Sequence, residues 1–543
     1  MPEVEPKEEG LSPADAEPRA PAAEEREPPR VPRVSPEPKA MVFPVRRASE
    51  MRPLMAIGDP DEPFARRWAR RALLGAVAGA TAALAWDVHE KEWSCYHTWS
   101  TALTQYALFK ATGLVGRWRL WQLLRDAEGG EEVQRALLAE VLRAHQGTSY
   151  GRDRGLVGVS TLEGFRRAHP VTRYADYADY VARTCDGQEG VMMLGRPSMM
   201  ATTSGTSGQP TLLPHTEDAS RRLLARGACV AFAVLEAEFP GAVLELRRSA
   251  RLAFRAGRHR LPSGLEVGSS SSTPDDPGFQ RLLCARTSPL AAYQVEKAPD
   301  AIYAHALFAL KDANLGMLEA DSAQALALLL ESARDHRRSL VQDLRNGHIW
   351  DRHLVDSAPA QMQLRDAIDA GLRGPDPRRA FEVDRLLREE APATRIWPNL
   401  QVVLAADDGA PVPAAARLRE LLGDGVEVYS PLFVAGGGLL GVNVTPRRPF
   451  GASTYLLDPR GAFVELLPLR WRGVERPPSD APVPSWEAEV GEAYEMLVTT
   501  REGLCRCRLG DVVRVRGRLG RMPLVSVEPG ACPAPGRAAT VPP

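Results

Sequence analysis

Thr203, Ser204, Thr206 and Ser207 are interleaved with Gly205 and Gly208 in the run T-T-S-G-T-S-G-Q-P-T-L-L-P, Thr202 to Pro214. Glycines let backbone N–H groups approach phosphate oxygens closely, and the hydroxyls add donors, so these residue types at this spacing suit a polyphosphate. No Gly-Lys-Ser/Thr follows, so the run is not a Walker-type P-loop. A solvent-exposed Ser/Thr/Gly loop reads equally well from these residues alone.

Other chemistry-bearing patterns are weaker. Gly436-Gly437-Gly438-Leu439-Leu440-Gly441 spells G-x-G-x-x-G, but V-N-V-T-P follows it. A dinucleotide fingerprint needs a helix there, and β-branched residues ending at proline read as strand. His348 and His353 flank Asp351 with no cysteine near, and Cys505-Arg506-Cys507 lacks a second pair, so no metal site is expected. The paired carboxylates Asp275-Asp276 and Asp407-Asp408 sit in turn-like contexts. No G-x-S-x-G elbow supports a hydrolase.

The elements that would carry this loop are those of a globular α/β chain. The 543 residues are 44% hydrophobic and 25% charged, with a formal net charge of −1, which excludes the electrostatic footprint of a nucleic-acid binder. Seven scattered cysteines argue against a disulfide framework and for a reducing, cytoplasmic compartment. Residues 1–60 are rich in Pro, Glu and Arg and are expected to be disordered. Residues 66–90 combine the basic flank Arg66–Arg71 with an apolar run over 72–86. Two readings stay open for that run: a soluble or interfacial helix, or a membrane anchor whose basic flank leaves the chain on the cytosolic face of the endoplasmic reticulum. Residues 91–124 are aromatic and helical, and a stripe containing Trp93, Tyr96, Trp99, Trp118 and Trp121 reads as core.

Further on, Glu132–His145 and Asp218–Phe239 read as helices, and Ser249–Phe279 as irregular surface chain. Asp300–Asn346 reads as a long helical region covering a sheet. Ile396–Leu404, Tyr429–Val444, Tyr455–Leu457 and Phe463–Leu467 read as strands. Alternating helices and short apolar strands argue for an α/β fold with mixed sheets flanked by helices.

Three stretches in this order resemble the Gretchen Hagen 3 acyl-acid amido synthetase family: S-G-T-S-G-Q-P-T-L-L-P; I-W-P-N-L-Q-V-V-L followed by F-V-A-G-G-G-L-L-G-V-N (Phe433–Asn443); and G-E-A-Y-E-M-L-V-T-T-R-E-G-L-C-R-C-R-L-G-D-V-V-R-V (Gly491–Val515). The lead-in Phe165, Pro170, Tyr174 and Tyr177 fits as well. The resemblance implies an adenylate-forming domain over 125–522 that joins a carboxylic acid to an amino acid at the expense of ATP. It implies that Thr203, Ser204, Gly205, Thr206, Ser207 and Gly208 hold phosphates, that Asp511 accepts from the ribose hydroxyls, that Phe433 lies near the adenine, and that Arg508 belongs to the nucleotide site. Arg506 and Arg508 also read as a strand with exposed arginines, at least one of them facing solvent.

The departures fall on ATP and metal chemistry. Thr211 stands where the family has a lysine, Gly436 and Gly437 where it has a Ser-Glu pair, and Cys505 and Cys507 where it has tyrosines. A glycine offers a hard cation no side-chain oxygen, which puts Mg²⁺ in doubt. The family's small C-terminal lid domain has no counterpart after residue 522, and 523–543 reads as a disordered tail. An acid–amino acid ligase is therefore the first expectation. A pseudoenzyme that binds a nucleotide or acyl ligand, or acts as a scaffold, is the alternative.

Overall fold

The computed structural model describes residues 64–202, 211–253, 258–269, 274–349, 359–406, 412–449 and 451–528. The chain divides into two compact units, residues 1–80 and 81–543. Helix α1, Phe64–Glu90, runs across the division. Among the described residues no helix is long and apolar enough to cross a membrane.

Residues 91–124 belong to the larger unit. Thr98 caps α2 (Trp99–Glu128) in a reciprocal capping box with Thr101, and α3 (Gly130–His145) follows directly. α2 lies against α4 (Cys229–Glu238). Its glycines permit the approach: a Cβ on Gly116 would run into the Cys229 carbonyl oxygen. The aromatic stripe is not the core expected of it. Tyr96 is buried, but Trp99, Trp118 and Trp121 are exposed, because α2 buries its small and polar side (Ala102, Gln105, Gly113, Gly116) instead.

Sixteen strands form three sheets among the described residues. In chain order they are β1 Met199–Thr202, β2 Leu212–His215, β3 Arg248–Leu252, β4 His259–Arg260, β5 Glu266–Gly268, β6 Leu315–Ser322, β7 Val402–Ala406 and β8 Glu427–Tyr429. There follow β9 Leu432–Ala435, β10 Gly438–Val442, β11 Tyr455–Leu457, β12 Phe463–Pro468, β13 Val483–Pro484, β14 Ala493–Thr499, β15 Cys507–Leu519 and β16 Met522–Val527. β3-β6-β7-β8 is a parallel sheet, β2-β1-β5-β4 is mixed, and β13-β12-β14-β15-β16-β11-β10-β9 is antiparallel throughout.

Several expectations are corrected here. The Asp300–Asn346 region is not continuous helix: α5 (Ala298–Lys311) and α6 (Ala323–Asp335) are separated by β6. β6 buries Leu315, Gly316, Leu318 and Ala320 with Met317 and Glu319 half-buried between them, and its Leu, Met, Glu and Ala are good helix formers that hide a short strand between two helices. The Ser249–Phe279 stretch contains β3, β4 and β5 rather than only irregular chain. Ile396 closes a short helix, and the strand after it begins at Val402. Trp397 between them is buried, with its Nε1 donating to the Ala309 carbonyl at 3.0 Å. Residues 523–527 are not tail but part of β16, where Met522 and Val525 are buried. Residues 1–60 and the rest of the expected tail, 529–543, lie outside the described residues.

Two cores result. One surrounds the parallel sheet and includes Tyr303, Phe308, Leu318, Leu326 and Trp397. The other lies under the antiparallel sheet and includes Tyr150, Tyr177, Phe433, Tyr455, Val498 and Val513.

Candidate functional site

β1 and β2 pair antiparallel with Thr202 opposite Leu212, so the chain leaves and re-enters the hydroxyl-glycine loop at two fixed points. Thr203, Ser204, Gly205, Thr206, Ser207 and Gly208 themselves lie outside the described residues.

Gly436 and Gly437 form the two-residue turn of the β9–β10 hairpin, in which Ala435 pairs with Gly438. Their φ angles are +59° and +81°, the left-handed values that a tight hairpin turn demands and that side chains resist. A Cβ on Gly436 would lie 3.1 Å from Leu509 Cδ2, and one on Gly437 3.4 Å from Leu213 Cδ1. The hairpin tip therefore sits between the strand that follows the loop and the C-R-L-G-D segment. All three stretches singled out in the sequence meet at this point.

Asp511 lies where β15 bulges: Arg508 faces Leu497 and Val512 faces Glu495, so three residues of β15 span one of β14. Burial, and then the neighbouring Glu495 carboxylate, push its carboxyl up to about 6 from an ordinary 3.8. No hydrogen bond or ion pair from another described residue reaches that carboxylate. It is a half-buried acceptor with capacity to spare.

The arginines of this segment are both buried, which corrects the expectation of an exposed strand. Arg508 is held by Glu495, with its Nε donating to Glu495 Oε1 at 2.9 Å and its Nη1 to the Val474 carbonyl at 2.8 Å. Arg506 adopts φ +48° and is 0% exposed. Its Nε donates to Glu465 Oε2 at 2.8 Å and its Nη2 to Glu465 Oε1 at 3.1 Å, while Arg166 binds the same carboxylate from the other side. These forks fix the turn between β14 and β15 and leave neither guanidinium free.

Phe433 does not present an open face. Its ring is 2% exposed and lies tilted on Tyr455 at 5.6 Å. Cys505 and Cys507 are buried, and burial pushes both thiols well above their usual range. Among the described residues no group of three or more His, Cys, Asp or Glu could hold a metal. His353, Asp407 and Asp408 lie outside the described residues.

Composition did not single out the tyrosines that brace the site. Tyr174 and Tyr177 occupy one 3₁₀ turn, where residues three apart eclipse, and Asp176 closes the turn on the Arg173 N–H at 2.8 Å. The Tyr174 hydroxyl accepts from Leu212 N–H at 3.0 Å and donates to its carbonyl at 2.9 Å. Tyr177 does the same to Cys505, at 2.9 and 2.8 Å. Tyr150 stacks on Tyr177 at 5.0 Å and hydrogen-bonds His169 at 2.8 Å. Burial pushes His169 down to about 4, so this imidazole is neutral and can accept that bond. One turn of chain thus grips both the strand after the loop and the turn before Asp511. The Y-x-x-Y spacing was the available signal.

A protein-held Mg²⁺ does not fit these residues. The glycine turn supplies no side-chain oxygen, Glu495 is engaged by Arg508, and Asp511 is a single carboxylate.

Sequence models of two domains match the chain: the GH3 family N-terminal domain over residues 119–427 and the GH3 family central domain over 455–528. A human "GH3 domain-containing protein" is 42% identical over 167 residues, 30% of this chain and 31% of that protein. A "probable indole-3-acetic acid-amido synthetase GH3.2" of Oryza sativa subsp. japonica is 27% identical over 412 residues, 72% of this chain and 64% of its own length. The chain thus spans less than two thirds of either relative. A solved "GH3.15 acyl acid amido synthetase" shares the fold, with a TM-score of 0.63 at 22% identity over 75% of this chain and 69% of that one.

Proposed function

The chain belongs to the GH3 family, and from that premise we propose that it is an acid–amino acid ligase of the adenylate-forming type, with its nucleotide site where the three sequence stretches meet. In the first half-reaction a carboxylate oxygen attacks the α-phosphorus of ATP, and pyrophosphate leaves. In the second an amine attacks the acyl carbon, AMP leaves, and an amide forms. The observation that supports this reading is the Asp511 carboxylate, without a partner among the described residues, two residues beyond the Leu509 that packs with Leu213 around the hairpin tip.

In this reading the ribose hydroxyls donate to Asp511, which can accept both. The hydroxyl-glycine loop 203–208 faces the phosphates. Arg508 acts indirectly, by pairing with the Glu495 carboxylate that neighbours Asp511.

One feature favours a second reading, a nucleotide- or acyl-binding protein without ligase turnover. Gly436 and Gly437 are built into a turn that left-handed φ angles define, so the Ser-Glu pair is replaced by a different local backbone device rather than by a shifted ligand.

The test is calorimetric titration with ATP, together with pyrophosphate release over a panel of carboxylic acids, on the full chain and on Asp511→Asn. Release that depends on an acid and is lost in Asp511→Asn supports the ligase. ATP binding that needs Asp511 without any release moves the assignment to the second reading. Binding indifferent to Asp511→Asn would sink both.

A further inference from the structure

The exposed side of α2 is unlike the rest of the surface. Trp99, Leu114, Trp118 and Trp121 recur at helical spacing and are 43, 64, 51 and 55% exposed. From Trp99 to Trp121 the stripe is about 33 Å long at 1.5 Å per residue. A run of large apolar side chains this long on one convex face marks an interaction surface rather than scattered exposure.

The charges along the helix narrow the partner. Between Trp99 and Arg125 there is no Asp or Glu. Lys110 lies over Tyr106 at 5.3 Å, Arg119 over Trp118 at 4.5 Å and Arg125 over Trp121 at 5.4 Å. None of these three cations is in an ion pair among the described residues. Of the other charges on α2, Arg117 pairs with Glu236 and Asp126 with Arg226 and Arg460, while Glu128, past the last cation, is exposed at the end of the helix. Indoles flanked by long cationic stems, with apolar rings below and charge at the rim, match the boundary between lipid headgroups and acyl chains. A second copy of this chain matches poorly, because face-to-face stripes would oppose cation to cation with no acid along Trp99–Arg125 to pair them. A convex helix also gives a globular partner no pocket to fill.

We propose that this face of α2 docks on an anionic lipid surface, the tryptophans entering the headgroup boundary and the exposed Lys110 and Arg125 meeting lipid phosphates. Such docking is peripheral and needs no membrane-spanning helix. It is also independent of the ligase reading, since the face carries none of the candidate site residues.

The test is co-flotation of the full chain with vesicles of phosphatidylcholine, with and without phosphatidylserine, alongside tryptophan emission. The expected result is binding that requires phosphatidylserine, weakens with salt and shifts the emission to the blue. Trp118→Ser/Trp121→Ser should lower the partition by at least about tenfold, and Lys110→Glu/Arg125→Glu should abolish the preference for phosphatidylserine, with melting temperatures unchanged. Three outcomes would overturn the proposal: no flotation, flotation equal in wild type and both variants, or a discrete self-associated species that Trp118→Ser/Trp121→Ser dissolves.

Discussion

The hydroxyl of Tyr174 closes on both backbone groups of Leu212, occupying the hydrogen-bonding position a neighbouring strand would take on the edge of β2. Leu212 is opposite the residue from which the hydroxyl-glycine loop departs. Tyr174→Phe keeps the ring and deletes the bridge, leaving one donor and one acceptor partly buried without a partner. The expected cost is about 1–2 kcal/mol in denaturant unfolding, with faster amide exchange at Leu212 than in wild type. Unchanged exchange there would show that the strand holds itself.

The Arg506–Glu465 pair is fully buried, and Arg166 shares its carboxylate. Removing one partner strands a charge in the core. Glu465→Leu should destabilise by about 3–5 kcal/mol, whereas Arg506→Met combined with Glu465→Leu should recover a substantial part of that loss. A double variant no better than the single one would mean that the pair holds the β14–β15 turn by geometry that apolar side chains do not replace.

Asp511 gives a signed pH dependence. Its carboxyl is raised from 3.8 to about 6, so the folded protein holds that proton where the unfolded chain has released it. The associated stability is fully present below pH ~4 and is lost as pH rises through about 6. Asp511→Asn, which never ionises, should match wild type at low pH and be more stable by roughly 1–3 kcal/mol above pH ~6. Melting curves across that range check both ends. A gain that persisted undiminished at low pH would point to packing rather than charge.

The Gly436-Gly437 turn should tolerate side chains according to φ. Gly436→Ala should cost about 1–2 kcal/mol, from left-handed strain and from a Cβ that meets Leu509 at 3.1 Å. Gly436→Asn should recover part of the strain, because asparagine visits that region more readily. Equal costs for the two would assign the effect to crowding alone.

Much of the α/β pattern was legible because it is local. Helix α3 announces itself through Leu137, Leu138, Val141 and Leu142, and the strands Tyr455–Leu457 and Phe463–Pro468 through short apolar runs. β6 was hidden because its Leu, Met, Glu and Ala are good helix formers between two helical stretches, although the Asp312–Asn314 segment before it offered a break. The burial of Arg506 and Arg508 was hidden for another reason: their carboxylate partners lie 41 and 13 residues away, and nothing in R-C-R points to them. The aromatic stripe misled because a tryptophan's size predicts burial only when a partner surface is present. Of the candidate site, the three stretches were legible as motifs, but their meeting at the Gly436-Gly437 turn was not. The brace at Tyr174 and Tyr177 required the geometry of a single 3₁₀ turn.

The grip of Tyr177 on Cys505 joins residues 328 apart in the chain. During synthesis at about 5–20 residues per second, the tyrosine turn emerges roughly 15–65 s before the residues it must hold. Over that interval Tyr150, Tyr177 and Phe165, all fully buried in the finished protein, have no permanent cover. The site therefore cannot mature as its first half leaves the ribosome. A nascent chain halted before residue 505 is expected to depend on chaperones, and to release them only once β15 arrives.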